Sequence, residues 1–318
     1  MPEPTVSVLM LTYNRPQLIG RAIASVRAQS LEEWELLIVQ DGSNPETASL
    51  LADWLAKDPR IRYFPRGTVG CIAEASNYGL ERARGEYVAI LDDDDYWTDR
   101  DKLARQVEFL DGHPEYVACS GGYVTIDGEG REHGRFLKPE LDEQIRINAL
   151  IANPMANSAA MFRRVLNGEP VRYDPGMIGF ADWDFWLMLG ARGRLYNFPA
   201  YLANYALWEG SGSFQAAKNN AISAVRIVHR YRRQYRGYPL AMTLACLNLC
   251  YACLPKPIRR VSYASLSALK KALASSRGAK QGAVTGTRQP SAIAPGHTEL
   301  RHRRGAGRPT ESADGSGR

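Results

Sequence analysis

The chain has 318 residues, 45% hydrophobic and 9% aromatic, with a formal net charge of +6, which is ample for one large core or two smaller ones. No apolar run reaches the length of an ordinary transmembrane helix, and Met1-Pro-Glu-Pro has neither the basic nor the apolar region of a secretory leader. Five cysteines, an odd number, predict no disulfide framework, so the expected setting is a reducing, cytoplasmic one.

Val6–Leu11 reads as a buried strand. Thr12-Tyr-Asn-Arg-Pro16 ends it, with Pro16 suited to the first turn of a helix that runs to about Gln29. Trp34–Gln40 is a second strand, closed by Asp41-Gly42-Ser43. Asn44-Pro45 is an N-cap followed by proline, opening a helix to about Lys57. Ile61–Phe64 is a third strand, followed by a loop and a helix to Arg84. Tyr87–Leu91 is a fourth, central strand. Thr98 and Asp101 form a capping arrangement for a helix through Leu110. Strand and helix alternate, which predicts a mainly parallel, doubly wound α/β sheet. The loops after the first, second and central strands then leave by one sheet edge. Tyr13, Arg15, Asp41 and Asp92–Asp95 therefore converge on one crevice.

The pattern changes after Asp111. Tyr116–Ser120, Tyr123–Ile126, Arg135–Leu137 and Asn157–Phe162 read as short strands, with Asp127-Gly128 a turn. Tyr173–Phe180 is a loop feeding an amphipathic helix. Asp182 and Asp184 lie in its first turn, and Phe185, Trp186 and Leu189 make its apolar face.

The central strand ends in four consecutive carboxylates, Asp92–Asp95. Their repulsion is relieved by a hard divalent cation, Mg²⁺ or Mn²⁺, which takes one or two protein carboxylates and completes its shell with water and phosphate. The competing reading is a solvated acidic turn.

Taken together, Ser7–Pro16, Trp34–Ser43, Asn77-Tyr-Gly-Leu with Gly85-Glu-Tyr, Leu91–Trp97 and Ala181-Asp-Trp-Asp184 resemble the family 2 glycosyltransferases, nucleotide-sugar-dependent enzymes of the GT-A fold. The resemblance covers roughly Val6 to Ser213. It implies that Thr12, Tyr13 and Arg15 line a nucleobase pocket and that Asp41 hydrogen-bonds the base. Asp92 and Asp94, the D-x-D pair, would meet the ribose and the metal on the diphosphate, with Asp95 as a substitute ligand. Asp182 would be the catalytic base, in its anionic form at a helix N-terminus. The implied reaction is metal-dependent, inverting transfer from a UDP- or dTDP-sugar to a hydroxyl of a carbohydrate or lipid-linked acceptor, in cell-surface polysaccharide or glycolipid assembly. The chain departs from the family pattern at Ala181 (usually Glu), Ser76 (often Arg), and Ala206 and Trp208 (often Arg and His).

Two rivals are a metal-dependent phosphohydrolase and a non-catalytic nucleotide-sugar-binding module. The first predicts a small hydroxyl residue where Tyr96 stands and leaves Tyr13 and Asp41 unused. The second draws on the missing Glu at position 181. Absence of a G-x-G-x-x-G after the first strand argues against a dinucleotide enzyme.

Charge divides the chain. Residues 1–209 carry 21 basic and 31 acidic residues, a net −10; residues 210–318 carry 19 and 3, a net +16. The expected organisation is a catalytic domain over 1–213 (nucleotide half 1–111, acceptor half 112–213), a basic and apolar helical extension over 214–274, and a disordered tail over 275–318. In the extension, Ala221–Arg236 and Pro239–Leu254 read as helices. Cys246, Cys250 and Cys253 read as small residues on an apolar face rather than zinc ligands. A basic segment beside an apolar helix predicts peripheral contact with an anionic membrane, at the inner face of the cell membrane. Nucleic acid is not an expected partner, because the Arg-rich tail lacks interleaved aromatics.

Overall fold

The computed structural model describes residues 3–13, 16–67, 70–207 and 217–254. Arg15, Trp208, the 213/214 boundary and the tail from 275 onward lie outside the described residues.

Three strands, β1 (Val6–Thr12), β2 (Trp34–Gln40) and β3 (Ile61–Pro65), alternate with helices α1 (Pro16–Arg27), α2 (Pro45–Lys57) and α3 (Ile72–Leu80). They lead to β4 (Tyr87–Ile90). β2 is buried along its whole length, as expected of a parallel strand covered on both faces. β1 pairs in parallel with both β2 and β4, and β2 pairs in parallel with β3. The C-terminal ends of these strands therefore share one edge. Asn44 caps α2 as expected, accepting from the Glu46 and Thr47 N–H groups at 2.9 and 3.4 Å. Gly85 lets β4 enter beside β1, since a Cβ there would lie 2.5 Å from the Ser7 nitrogen.

The chain then crosses to β5 (Tyr96–Trp97), α4 (Lys102–Gly112), β6 (Tyr116–Ile126), β7 (Glu132–Phe136) and α5 (Asp142–Asn148). A 3₁₀ turn (Asn157–Ala159), β8 (Met161–Arg163) and the small pair β9 (Val165–Leu166) and β10 (Glu169–Pro170) precede α6 (Ala181–Gly190) and β11 (Arg194–Ala206). The main sheet runs β3-β2-β1-β4-β8-β6-β11-β5, with β7 paired to β6. It is mixed: β8 is antiparallel to both β4 and β6, whereas β6 and β11 are parallel.

Several local expectations change. The two strands read on either side of Gly121-Gly122 are one strand, β6. The strand expected over Asn157–Phe162 is a 3₁₀ turn followed by β8. α3 stops at Leu80. The expected cap of α4 by Thr98 and Asp101 does not form: the Thr98 hydroxyl donates to the Tyr201 carbonyl at 3.4 Å, and Gln29 Oε1 accepts from the Leu103 N–H in the first turn at 3.1 Å.

The extension folds onto the body. α7 (Ala217–Arg230) and α8 (Tyr238–Cys253) share a core with α6, in which Trp183 and Leu187 meet Ala224, Ile227, Val228, Tyr231, Ala241 and Ala245. The inner face of α8 is made by Ala241, Ala245 and Ala252. Its three cysteines are exposed instead of sharing that face, as is Leu247, at 55%. Among the described residues no helix is long and apolar enough to cross a membrane.

Candidate active site

The acidic turn follows β4, and its burial alternates: Asp93 and Asp95 are buried, Asp92 and Asp94 half-buried. Asp95 is built into the protein. Its Oδ2 accepts from the Ser158 hydroxyl at 2.5 Å, and its Oδ1 accepts from the Ala206 N–H at 3.1 Å. Burial, then the charges of Asp92 and Asp94, push its pKa well up against those two bonds. The Ser158 Oγ also accepts from the Asp92 N–H at 3.1 Å, and Asn157 Nδ2 lies 3.3 Å from both Asp92 carboxylate oxygens. One 3₁₀ turn thus holds the acidic loop in shape.

Each Asp95 oxygen accepts one hydrogen bond from the fold, which leaves a further lone pair on each. Asp92 and Asp94 are the half-buried carboxylates of the turn. Among the described residues no three His, Cys, Asp or Glu side chains cluster to hold a metal ion. The donor set therefore fits a cation that takes one or two carboxylates and completes its shell from a diphosphate and water, and not a fully protein-caged ion.

The residues expected to meet the nucleobase lie at the ends of β1 and β2. The Asp41 N–H donates to the Thr12 carbonyl at 2.9 Å, joining the two loops. The Thr12 side chain is buried, with its hydroxyl unpaired among the described residues. Tyr13 is 47% exposed. Asp41 already accepts from Arg66 Nη1 at 2.7 Å and from the Gly70 N–H at 3.1 Å. Its carboxylate is therefore oriented before any ligand arrives, by an arginine that sequence reading did not single out.

Asp182 lies in the first turn of α6. Its Oδ2 accepts from Asn153 Nδ2 at 2.7 Å, and Lys138 Nζ donates to the Asn153 carbonyl at 2.9 Å. The expectation that a helix N-terminus keeps Asp182 readily ionised is corrected here. Burial raises its pKa, outweighing the helix N–H bonds, Lys138 and Asn153, which all pull it down. A raised carboxylate is a stronger base once deprotonated. Asp184 is structural. It is buried and accepts from Arg230 Nη1 at 3.0 and 3.1 Å.

Tyr173 lies within electrostatic range of both Asp182 and the acidic turn. It is buried and stacked 3.9 Å from Phe185, and its backbone N–H and carbonyl are both bonded to the Asn77 side chain. Burial, then the negative charges of Asp182 and Asp92, raise its phenol pKa, so both carboxylates lie within electrostatic reach of one ring. Ser76 hydrogen-bonds this tyrosine.

The sequence profile described as Glycosyl transferase family 2 matches residues 7–169, half of the chain. The chain belongs to glycosyl transferase family 2. A Bacillus subtilis protein named as a glycosyltransferase, EpsE, is 30% identical over 244 residues, covering 74% of this chain and 86% of that protein. An uncharacterized Sinorhizobium fredii protein is 43% identical over 221 residues, covering 69% of this chain but only 24% of that longer protein. The glycosyltransferase shares the GT-A fold with the Pyrobaculum calidifontis mannosyltransferase PcManGT, solved with GDP-Man and Mn²⁺ (TM-score 0.57, 20% identity, 89% of this chain and 80% of that one). It is similarly related to Staphylococcus aureus TarS 1-349, solved with UDP-GlcNAc (TM-score 0.57, 17% identity, 78% of this chain and 72% of that one). Membership removes the phosphohydrolase alternative.

The family match contains Thr12, Tyr13, Arg15, Asp41 and Asp92–Asp95 but ends before Asp182. Sequence reading did not single out Arg66, Asn153, Asn157, Ser158 or Tyr173 for the site. No local pattern marks them, because each acts on a partner at least 25 residues away.

Proposed function

We propose that this glycosyltransferase moves a sugar, with inversion, from a UDP- or dTDP-sugar to a hydroxyl of a carbohydrate or lipid-linked acceptor, in cell-surface polysaccharide or glycolipid assembly. The observation that carries the reading is the Asp182 carboxylate, held by Asn153 Nδ2 at 2.7 Å and within electrostatic reach of the same Tyr173 ring as Asp92. Asp182 takes the acceptor proton as the acceptor oxygen bonds to the anomeric carbon. The bond from that carbon to the diphosphate oxygen breaks, and its electron pair leaves with the diphosphate. Asp92 and Asp94 would hold Mg²⁺ or Mn²⁺, with Asp95 shaping the turn; when bound, the ion neutralises charge on the departing diphosphate. Thr12 and Tyr13 line the base pocket, with Arg15 beside them in sequence, and Asp41, fixed by Arg66, accepts from the base.

The same proposal includes the division into a catalytic domain over 1–213, an extension over 214–274 and a tail from 275. It also includes peripheral association at the inner face of the membrane, supported by the +16 charge of residues 210–318 and the uncharged outer face of α8. Support for a nucleoside-diphosphate sugar comes from the two solved relatives, each bound to one. The deciding experiment is a thermal-shift screen of nucleotide sugars with and without Mn²⁺, followed by donor hydrolysis on each hit. A metal-dependent shift and slow hydrolysis are expected. No shift with any nucleotide sugar would refute the reading.

A further inference from the structure

Between α6, α7 and α8 lies a cavity of about 140 Å³. Leu150, Phe180, Trp183, Val228, Leu244 and Ala245 supply most of its apolar wall. A volume of this order, roughly 150 Å³, holds a benzene-sized guest. It therefore suits one ring or a short run of methylenes, not a whole lipid.

The cavity is coupled to the proposed base. Asn153 is part of its wall, and the same side-chain amide donates to Asp182 at 2.7 Å. Phe180 and Trp183 flank Asp182 in sequence, two residues before it and one after. Phe180 holds a left-handed backbone conformation, with φ of 53°, which is uncommon for a bulky residue and clusters at ligand-binding positions. The loop that delivers Phe180 also exposes Ile178, at 66%. On the far wall, α8 carries no charged residue from Tyr238 to Cys253 and continues outward into exposed Leu247 and Leu254. The cavity wall thus includes the residue that bonds the proposed base, with Asn248 of α8 as its other amide.

We propose that this cavity seats the apolar portion of the acceptor, so that the enzyme selects acceptors whose hydroxyl-bearing head is joined to an alkyl, prenyl or aryl group. The proposal rests on the glycosyltransferase reading given above and specifies the class of acceptor. Each buried methylene is worth roughly a fourfold gain in affinity. The α7–α8 extension then becomes part of the substrate site.

The test compares methyl β-D-glucoside with n-hexyl β-D-glucoside, below its micelle concentration, by calorimetry on the full chain. Both probes carry the same head, so the ratio of affinities isolates the apolar group. The expected result is hexyl binding at least tenfold tighter, with the ratio falling to near one in Ala245→Phe, which fills the cavity, and in Leu244→Asn, which makes its wall polar. Equal affinities in the wild-type chain overturn the proposal, as does a hexyl preference that survives both substitutions. Thermal melting certifies the fold of each variant. If Ala245→Phe melts early, Leu244→Asn decides. Crystals soaked in the hexyl glucoside decide without substitution: density between Trp183 and Ala245 supports the cavity, and density elsewhere or none refutes it. UDP and dTDP binding with Mn²⁺ is measured on the same samples. If neither binds, the donor-site reading fails whatever the hexyl ratio; if either binds and the ratio is near one, the cavity proposal alone fails.

Discussion

Arg230 of α7 reaches across to α6 and donates to both carboxylate oxygens of Asp184, at 3.0 and 3.1 Å. Its other terminal nitrogen lies 2.7 Å from Asp174, in the loop before α6. The helix that presents Asp182 is therefore braced from outside the segment that the family profile matches. Arg230→Ala leaves the Asp184 carboxylate, 4% exposed, without its cation. The expected cost is about 2 kcal/mol, moderated because Arg230 itself is 43% exposed. Chemical denaturation should show this loss. Steady-state kinetics should show a lower kcat with unchanged donor affinity, and unaltered stability and kcat would mean that the brace is idle.

Asp182 must be ionised to accept a proton. Because its pKa is raised, activity should fall off on the acid side at a pH above the ordinary aspartate range. Asn153→Ala removes a bond that favours the anion, so the acid limb should move to still higher pH. Asp182→Asn should leave donor binding nearly intact and cut turnover by about 10²-fold or more. A pH–rate profile of kcat/KM checks all three; an acid limb at ordinary aspartate pH that Asn153→Ala does not move would place the base elsewhere.

Asp94 and Asp95 should separate cleanly. Asp94→Ala should abolish transfer and weaken nucleotide-sugar binding in Mn²⁺ while the melting temperature stays within a few degrees. Asp95→Ala should destabilise by about 1–3 kcal/mol, since it leaves the Ser158 hydroxyl and the Ala206 N–H without an acceptor. Calorimetric titration of Mn²⁺ with UDP, beside thermal melts, distinguishes them. Full metal binding by Asp94→Ala would remove it from the site.

Lys102 is fully buried, donates from Nζ to Gln106 Oε1 at 2.7 Å, and sits 4.1 Å from the Trp97 ring. Burial lowers its pKa to about 7, against opposing pulls from Cys119 and Asp99. Unfolded lysine titrates at about 10.4. Between those values the unfolded chain binds more protons, so stability from this group rises with pH across that window and is lowest below it. Melting temperature from pH 6.5 to 9 should climb more steeply in the wild type than in Lys102→Met. Equal slopes would mean that the buried amine stays charged.

Membrane association should require the basic C-terminal part. Basic residues near an anionic leaflet contribute about 1 kcal/mol each and are screened by salt. Full-length protein should co-sediment with anionic liposomes at low salt and be released at high salt. Full recovery in the supernatant at low salt would rule this out.

The amino-acid sequence by itself determined the nucleotide half of the glycosyltransferase. β1, β2 and β4 are buried on both faces and pair in parallel, so each reads as an apolar run ending in a polar loop, and parallel pairing sends those loops to one edge. The cap at Asn44 is equally local, whereas α6, read as amphipathic, is buried almost all round, with Phe185, Trp186 and Leu189 in one core and Trp183 and Leu187 in another. Tertiary structure decided the rest. β11 has mixed burial and register shifts against β6, so no clean alternation betrayed it. The anchoring of Asp95 depends on Ser158 and on Ala206, 63 and 111 residues away. The basicity of Asp182 was misread because the helix N-terminus is visible in sequence while the burial that outweighs it is not. Likewise, α8 buries its alanines and exposes its cysteines because α6 and α7 cover only one side of it. Desolvation and long-range hydrogen bonding depend on which non-local surfaces arrive, and local sequence does not encode them.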